Sequence, residues 1–259
     1  MRGFGQPHMS YTAAPAGGEH PEGVLRERNY TLHGCFGGLA KCKRRDQALQ
    51  SKGALTMVDV KSVFEIWAAL MQANRQRLIE LDGAVGDSDL GLTMSDGFRA
   101  AYEAVKDNPE TDMGKLIYAA GKAMGSAVPS TMGTLMASGL MSAGKVLKGV
   151  ESLDDSHWYQ FFQAYFDGVQ NRGKAQLGDK TFLDALFPAV EALKANQGDL
   201  SQGAVRAAEA AHAAFLATQG MLAKHGRMAI RGEQSRAYLD PGAAVAALLM
   251  QGFSEAMNP

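Results

Sequence analysis

Residues 60–78 read VKSVFEIWAALMQANRQRL, and their apolar side chains from Val60 to Met71, and then Leu78, recur at the spacing of one face of an α-helix. The same period predicts further helices at about 93–106, 112–124, 131–149, 155–172, 180–195, 199–222 and 241–256. No alternating apolar run is long enough to indicate a strand. The sequence therefore predicts an all-α domain of about eight helices.

Helix boundary signals and small residues support this interpretation. Asp154 precedes an aromatic-rich run at 158–166, which is more typical of a buried core than of a cofactor site, and Pro241 suits the first turn of a last helix. Ala- and Gly-rich segments at 133–144 and 204–220 permit close helix packing. With short connections, they predict antiparallel neighbours in a bundle.

Composition excludes several functional classes. The 259 residues carry a formal net charge of −1, so no overall basic field indicates nucleic-acid binding. The longest apolar runs, such as 243–250, fall well short of the roughly 20 residues that cross a bilayer. Only two cysteines are present, which favours a reducing, cytoplasmic location over a disulfide-stapled secreted protein.

Residues 1–56 differ from the rest of the chain. They hold both cysteines, Cys35 and Cys42, and a short basic run at 41–45, but no helical or strand period. A zinc-binding or nucleic-acid-binding arm is one interpretation, although the cysteines lack the close pairing of a zinc knuckle. The sequence favours a disordered extension at 1–56, followed by a folded domain at 57–259.

A glycine-bearing turn between the first helices concentrates negative charge. Residues 81–94 read LDGAVGDSDLGLTM and place Asp82, Asp87 and Asp89 close together with no cation in the turn. Crowded carboxylates repel one another, and hard oxygen ligands suit Mg²⁺ or Ca²⁺. Helix capping by Asp87 or Asp89 is the alternative, but it would account for one carboxylate rather than three.

Two further loops each lead into a predicted helix. Residues 125–134 read GSAVPSTMGT, so the amides at the start of the following helix could face a phosphate, although an ordinary interhelical turn explains this loop equally well. Residues 173–184 read GKAQLGDKTFLD, in which the glycine spacing does not fit a Walker motif.

Together, these segments resemble the ADP-binding L subunit, or L domain, of dihydroxyacetone kinases. That family's patterns LDxxxGDxDHGxNM, GGASGPxxGT and RGKAxxGDKTMxD are similar to residues 81–94, 125–134 and 172–184, and its QDPGA is represented at 240–243. The four motifs occur in the family's order and span most of 57–259. The resemblance implies an eight-helix antiparallel up-and-down barrel.

The resemblance also implies a nucleotide site. Asp82, Asp87 and Asp89 would be the catalytic residues that hold two Mg²⁺ ions on the phosphates of ADP or ATP. The residues implied to contact the nucleotide are Leu90, Gly91, Leu92, Thr93, Ala127, Val128, Gly173, Phe182, Arg227, Asp240, Pro241 and Gly242.

The implied activity is that of half a kinase. A separate K-type subunit would hold dihydroxyacetone or a related short ketose, and this chain would supply the phosphate. The donor is either ATP as substrate or ADP as a bound coenzyme that a phosphotransferase-system protein rephosphorylates, and a homodimer is a further expectation. The alternatives are a non-catalytic nucleotide-binding partner of a transcription regulator and, with no separate support, a lipid-binding barrel.

Some residues depart from the family's pattern. Leu90 replaces a histidine, Val128 and Pro129 replace Ser-Gly, and Gln234 replaces an arginine. Each hydrogen bond lost to the phosphate would weaken binding by about 1 kcal/mol. His212 and His225 match no catalytic histidine of the family, and we expect both to be surface or packing residues.

Overall fold

The computed structural model describes residues 58–259. The predicted disordered extension at 1–56 lies outside the described residues. Within residues 58–259 there is no strand, and the predicted all-α class is confirmed.

Nine α-helices and one 3-10 segment make up the described part of the chain. They are α1 (Val60–Ala73), α2 (Arg75–Gly83), α3 (Leu90–Val105), α4 (Met113–Ala127), α5 (Thr131–Val146), α6 (Asp155–Gly173), α7 (Phe182–Ala195), α8 (Leu200–Ala217), the 3-10 segment Arg227–Ala237, and α9 (Pro241–Met257). The first predicted helix is two helices, because the backbone leaves the helical conformation at Asn74 (φ −96°, ψ 7°). The helix predicted over 199–222 ends earlier, at Ala217, and the 3-10 segment was not predicted.

Polar N-caps fix where most of these helices begin. An oxygen of the cap side chain accepts a hydrogen bond from a backbone amide of the first turn, which satisfies a donor with no intrahelical partner. The caps that do so are Asp59, Asp112, Ser130, Asp154, Thr181, Asp199 and Asp240. Capping boxes at Asp154 and Thr181 add a return hydrogen bond from the third helical residue.

The helices pack in chain order. α1 contacts α3, each helix from α3 to α8 contacts the next, and α9 contacts α1. α4 and α5 approach each other closely, since a Cβ added to Gly114 would lie 2.4 Å from the backbone nitrogen of Lys148 just beyond α5. The antiparallel arrangement and the barrel remain predictions.

An aromatic cluster fills the interior between α1, α6 and α9. Trp67, Trp158, Phe161, Phe162 and Phe253 are fully buried, which confirms that the aromatic run of α6 belongs to the core. Trp67 donates from Nε1 to the Leu249 carbonyl over 2.8 Å, and its ring contacts those of Phe161 and Phe162. Close packing of these rings makes this part of the core rigid.

No helix within residues 58–259 is both long and apolar enough to cross a bilayer.

Candidate metal and nucleotide site

Three carboxylates come together where α2 gives way to α3. Asp82 stands near the end of α2, and Asp87 and Asp89 lie in the loop that follows. One oxygen of each carboxylate lies within 4.8 Å of one from each of the others. Ser88, between the two loop aspartates, has a left-handed φ of 65°, which is uncommon for a non-glycine residue. The predicted carboxylate cluster is therefore present in the fold.

Asp82 organises this cluster through the backbone. Its Oδ2 accepts hydrogen bonds from the amides of Asp89 (3.1 Å) and Leu90 (3.4 Å), at the start of α3. Asp89 occupies the N-cap position, yet its side chain makes no capping hydrogen bond. Helix capping therefore does not explain the Asp89 carboxylate. A Cβ at Gly86 would lie 2.3 Å from Asp82 Oδ1, so a larger residue there would displace the Asp82 carboxylate.

The electrostatics of the cluster favour a bound cation. Burial raises the pKa of Asp82, and repulsion from Asp87 and Asp89 raises it further, against the opposing effect of the two amide hydrogen bonds. Arg227 reaches Asp87 from the 3-10 segment, with Nη2 2.6 Å from Oδ2. Three hard oxygen donors, mutual repulsion and a recruited arginine together fit Mg²⁺ or Ca²⁺.

A cavity of about 860 Å³ opens beside the carboxylates. The predicted site residues that line it are Asp82, Asp87, Asp89, Leu90, Gly173, Phe182, Arg227, Asp240, Pro241 and Gly242. These residues come from the α2–α3 loop, the α6–α7 connection, the 3-10 segment and the start of α9. The fold thus brings together residues that are up to 160 positions apart in the sequence.

Five predicted nucleotide-contacting residues are not among those that line this cavity, namely Gly91, Leu92, Thr93, Ala127 and Val128. Gly91 faces α2, where an added Cβ would lie 2.1 Å from the Arg75 carbonyl oxygen. Val128 is buried, with its Cγ2 beside the α-carbons of Gly97 and Gly133. Gly91 and Val128 therefore make their close contacts with other parts of the protein, and neither lines the cavity.

The start of α5 lines the cavity where 127–128 do not. Pro129, Ser130, Thr131 and Thr134 all contribute to the wall. The Ser130 hydroxyl accepts the amide of Gly133 over 2.9 Å, which fixes the first turn of α5. A helix N-terminus carries partial positive charge, so this turn can face an anion.

Lys180, just before α7, and His225, beyond α8, were not predicted to be part of the site. Lys180 lines the cavity, is buried, and donates from Nζ to the carbonyls of Ser235 (2.6 Å) and Tyr238 (2.7 Å). His225 also lines the cavity, with its side chain 39% exposed and Nε2 3.0 Å from Asp179 Oδ2, and a surface or packing role for it stays a prediction. His212 packs near the ring of Phe215, as expected.

Asp240 caps α9 at the wall of the cavity. Its Oδ2 accepts the amide of Ala243 over 2.6 Å. Burial raises the pKa of this carboxyl to about 7, against the Ala243 amide and the Lys180 ammonium, both of which favour the charged form. A buried carboxyl with a displaced pKa in a cleft is typical of a functional site.

Comparison with known proteins identifies the family. The DAK2 domain matches residues 84–255. The chain belongs to the DAK2 domain family.

Named relatives of this DAK2 domain are kinase subunits and kinases. The Escherichia coli (strain K12) PEP-dependent dihydroxyacetone kinase, ADP-binding subunit DhaL, is 34% identical over 185 residues, which cover 70% of this chain and 88% of that protein. A Listeria innocua ADP-binding subunit DhaL is 33% identical over 69% of this chain and 86% of its own length. The Mycolicibacterium smegmatis L-erythrulose 1-kinase is 32% identical, and the match spans 35% of that longer protein.

Solved structures show the same fold. The dihydroxyacetone kinase of C. freundii superposes with a TM-score of 0.60 at 23% identity, covering 82% of this chain and 38% of that one. A structure of that enzyme in complex with AMP-PNP and Mg²⁺ gives a TM-score of 0.59.

The departures from the family pattern occupy different places in this DAK2 domain. Leu90 and Pro129 line the cavity, so these two substitutions change its surface directly. Gln234 is exposed on the 3-10 segment and is not among the lining residues.

Proposed function

We propose that this chain is the nucleotide-binding subunit of a kinase for dihydroxyacetone or a related short ketose. The observation that carries the proposal is the cluster of Asp82, Asp87 and Asp89, which opens onto the cavity that the start of α5 also lines. Carboxylates for divalent cations beside a helix N-terminus for phosphate are the features that a metal–nucleotide complex requires.

The carboxylates would hold two Mg²⁺ ions, which neutralise phosphate charge when bound. Arg227 is placed to leave Asp87 for a phosphate oxygen, because its side chain is two-thirds exposed and free to turn. The apolar side chains of Leu135, Val169 and Phe182 line another part of the cavity. They provide a surface for the adenine of ADP or ATP and exclude water from it.

The relatives support the assignment of partners. Three are named as ADP-binding subunits of PEP-dependent dihydroxyacetone kinases, at 31–34% identity. We therefore propose that a K-type subunit holds the ketose and that a phosphotransferase-system protein regenerates the donor when ADP is the coenzyme. The L-erythrulose 1-kinase relative adds four-carbon ketoses to the candidate acceptors. A homodimer and a cytoplasmic location remain predictions.

Reconstitution with a K-type subunit tests the proposal. The full chain and the K-type subunit are incubated with Mg²⁺ and either ATP or ADP plus phosphotransferase-system proteins, and phosphorylated dihydroxyacetone or erythrulose is measured. We expect turnover that the substitution Asp87→Asn abolishes. Asp96→Asn is the matched control, since Asp96 lies on α3 and pairs with Arg99.

The outcomes separate the two candidate functions. Turnover that depends on Asp87 supports the kinase subunit. Mg²⁺-dependent nucleotide binding without turnover for any ketose would instead favour the non-catalytic partner of a regulator. Absence of nucleotide binding would refute both.

A further inference from the structure

The connection from α8 to α9, residues 218–240, supplies much of the cavity wall. His225, Arg227 and Met228 line the cavity near one end of it, and Asp240 does so at the other. Its regular structure is limited to short 3-10 turns, which Gly232 interrupts with a φ of 53°. Ile230, near its middle, is 87% exposed. Hydrogen bonds join the two ends of the segment to each other, from the Gly220 amide to the Arg236 carbonyl (2.9 Å) and from the Ala223 amide to Ser235 Oγ (3.0 Å). Its position on the rest of the protein depends instead on contacts with other elements.

Lys180 makes the most extensive of these contacts. Its Nζ donates to three carbonyls of the segment, those of Ser235 (2.6 Å), Tyr238 (2.7 Å) and Met221 (3.3 Å). An ammonium has three donors, and all three are used here. The side chain is buried, so losing it would leave these carbonyls without their donor away from water.

Asp179 holds the same segment at a different point. Its carboxylate accepts Lys224 Nζ over 2.9 Å and lies 3.0 Å from His225 Nε2, and its carbonyl accepts the Lys224 amide over 3.1 Å. The Lys224 ammonium and the Gln176 amide lower the pKa of Asp179 to about 2, so it is charged at neutral pH. Two consecutive residues therefore bind both halves of the segment.

The segment in turn contacts the metal loop. Met228 and Ala223 pack with Val85, which lies between Asp82 and Asp87, and Tyr238 packs against this group. The ion pair of Arg227 with Asp87 adds a second contact between the same two parts. A displacement of the segment would therefore move the arginine and part of the cavity wall together.

We propose that Asp179 and Lys180 are positioning residues, which hold residues 218–240 where Arg227 and Asp240 can meet the nucleotide. This inference rests on the proposed function for the identity of the ligand. It assigns the residues of the α6–α7 connection a role that is distinct from metal binding and from contact with the adenine.

Trypsin reports on the segment directly, because Lys224, Arg227, Arg231 and Arg236 are exposed cleavage sites within it. In the full chain with Lys180→Met, we expect cleavage within 218–240 to be at least about tenfold faster than in the wild type. Lys174→Met is the matched control. Lys174 is an exposed lysine of the same connection and has nearly the same backbone, with φ 61° against 63° for Lys180.

Ligand binding separates positioning from general destabilisation. We expect Lys180→Met to weaken Mg²⁺-ADP binding by about tenfold or more, because Arg227 and Asp240 lose their place. Binding of Mn²⁺ alone, followed by electron paramagnetic resonance, should not weaken, since its ligands come from the α2–α3 loop. Equal losses of both affinities would contradict the proposal.

A double variant tests whether the hydrogen bonds or merely the charge of Lys180 matter. Asp240 lies close enough to Lys180 for their charges to interact, so Lys180→Met also removes the cation that favours the charged form of this buried carboxyl. In Lys180→Met/Asp240→Asn we expect the melting temperature to recover while cleavage within 218–240 stays fast. Cleavage restored to the wild-type rate would show that only the charge of Lys180 matters and would overturn the proposal.

Asp179→Asn provides the test should Lys180→Met not fold. It removes a charge that pairs with Lys224 and His225 while leaving Lys180 in place, and we expect cleavage after Lys224 to accelerate about fivefold or more. An unchanged rate overturns the proposal. If the wild type binds no nucleotide, the proposed function fails. The cleavage rates still decide whether Asp179 and Lys180 hold residues 218–240 in place.

Discussion

Arg227→Gln is expected to change metal affinity and nucleotide affinity in opposite directions. In the structure Arg227 Nη2 lies 2.6 Å from Asp87 Oδ2, so the arginine competes with a cation for one of the three carboxylates. Removing it frees Asp87 for the metal. A phosphate group, by contrast, loses its charged hydrogen-bond donor.

The magnitudes follow from exposure. The side chains of Arg227 and Asp87 are 66% and 38% exposed, so solvent screens their ion pair, and such pairs contribute about 0.3–1 kcal/mol. Affinity for Mn²⁺ alone should therefore rise about two- to fivefold. A charge-assisted hydrogen bond to phosphate contributes about 1.5–3 kcal/mol, so Mg²⁺-ADP binding should weaken at least about tenfold.

The assay is titration of the full chain with Mn²⁺ alone and with ADP at saturating Mg²⁺. Arg231→Gln is the control, because Arg231 lies on the same 3-10 segment but its guanidinium stands over the Tyr238 ring. The control should change neither affinity by more than about twofold. If Arg227→Gln weakened Mn²⁺ binding, or left ADP binding unaltered, the assignment of Arg227 to both ligands would be refuted.

Two further substitutions test the electrostatics and the packing of the site. Asp240 has a folded-state pKa of about 7, against an ordinary value of 3.8. Between pH 4 and 7 its carboxyl is therefore protonated in the folded state but ionised in the unfolded state, so the free energy of unfolding falls as pH rises through this range. Asp240→Asn removes this dependence, and the free energy of unfolding of the variant minus that of the wild type should grow by on the order of 4 kcal/mol over that range in urea titrations. A difference that stays constant with pH would contradict the burial of a titrating carboxyl. Gly91→Ala places a Cβ 2.1 Å from the Arg75 carbonyl oxygen and should cost about 1–3 kcal/mol, seen as a lower melting temperature. Gly125→Ala, whose Cβ would meet only the Ala137 Cβ at 3.3 Å, should cost less than Gly91→Ala, and an equal loss in both variants would refute the packing argument.

The helices were predictable because their signals are local. Apolar period and capping residues such as Asp154 and Asp199 depend on neighbours in the sequence, and the structure places helix starts where these signals lie. The break at Asn74 was missed because the apolar face continues from Met71 to Leu78 across it. The 3-10 segment was missed because its position depends on Lys180 and Asp179, which are about 50 residues away in sequence.

In the candidate site, too, features that depend on neighbours in the sequence were predictable and those that depend on distant contacts were not. Asp82, Asp87 and Asp89 lie within eight residues, so their crowding could be inferred from spacing alone. The roles of Lys180 and His225 could not be inferred this way, because each depends on which distant backbone or carboxylate it reaches. A buried lysine in a loop before a helix has no signature in the sequence that distinguishes it from a solvated one.

We propose that Asp82, Asp87 and Asp89 hold a metal–nucleotide complex. Calorimetric titration of ADP and ATP into the full chain, in Mg²⁺ and again in EDTA, tests it most directly. We expect tight binding in Mg²⁺ that disappears in EDTA and in Asp87→Ala. Nucleotide binding that persists in EDTA, or none in Mg²⁺, would contradict it.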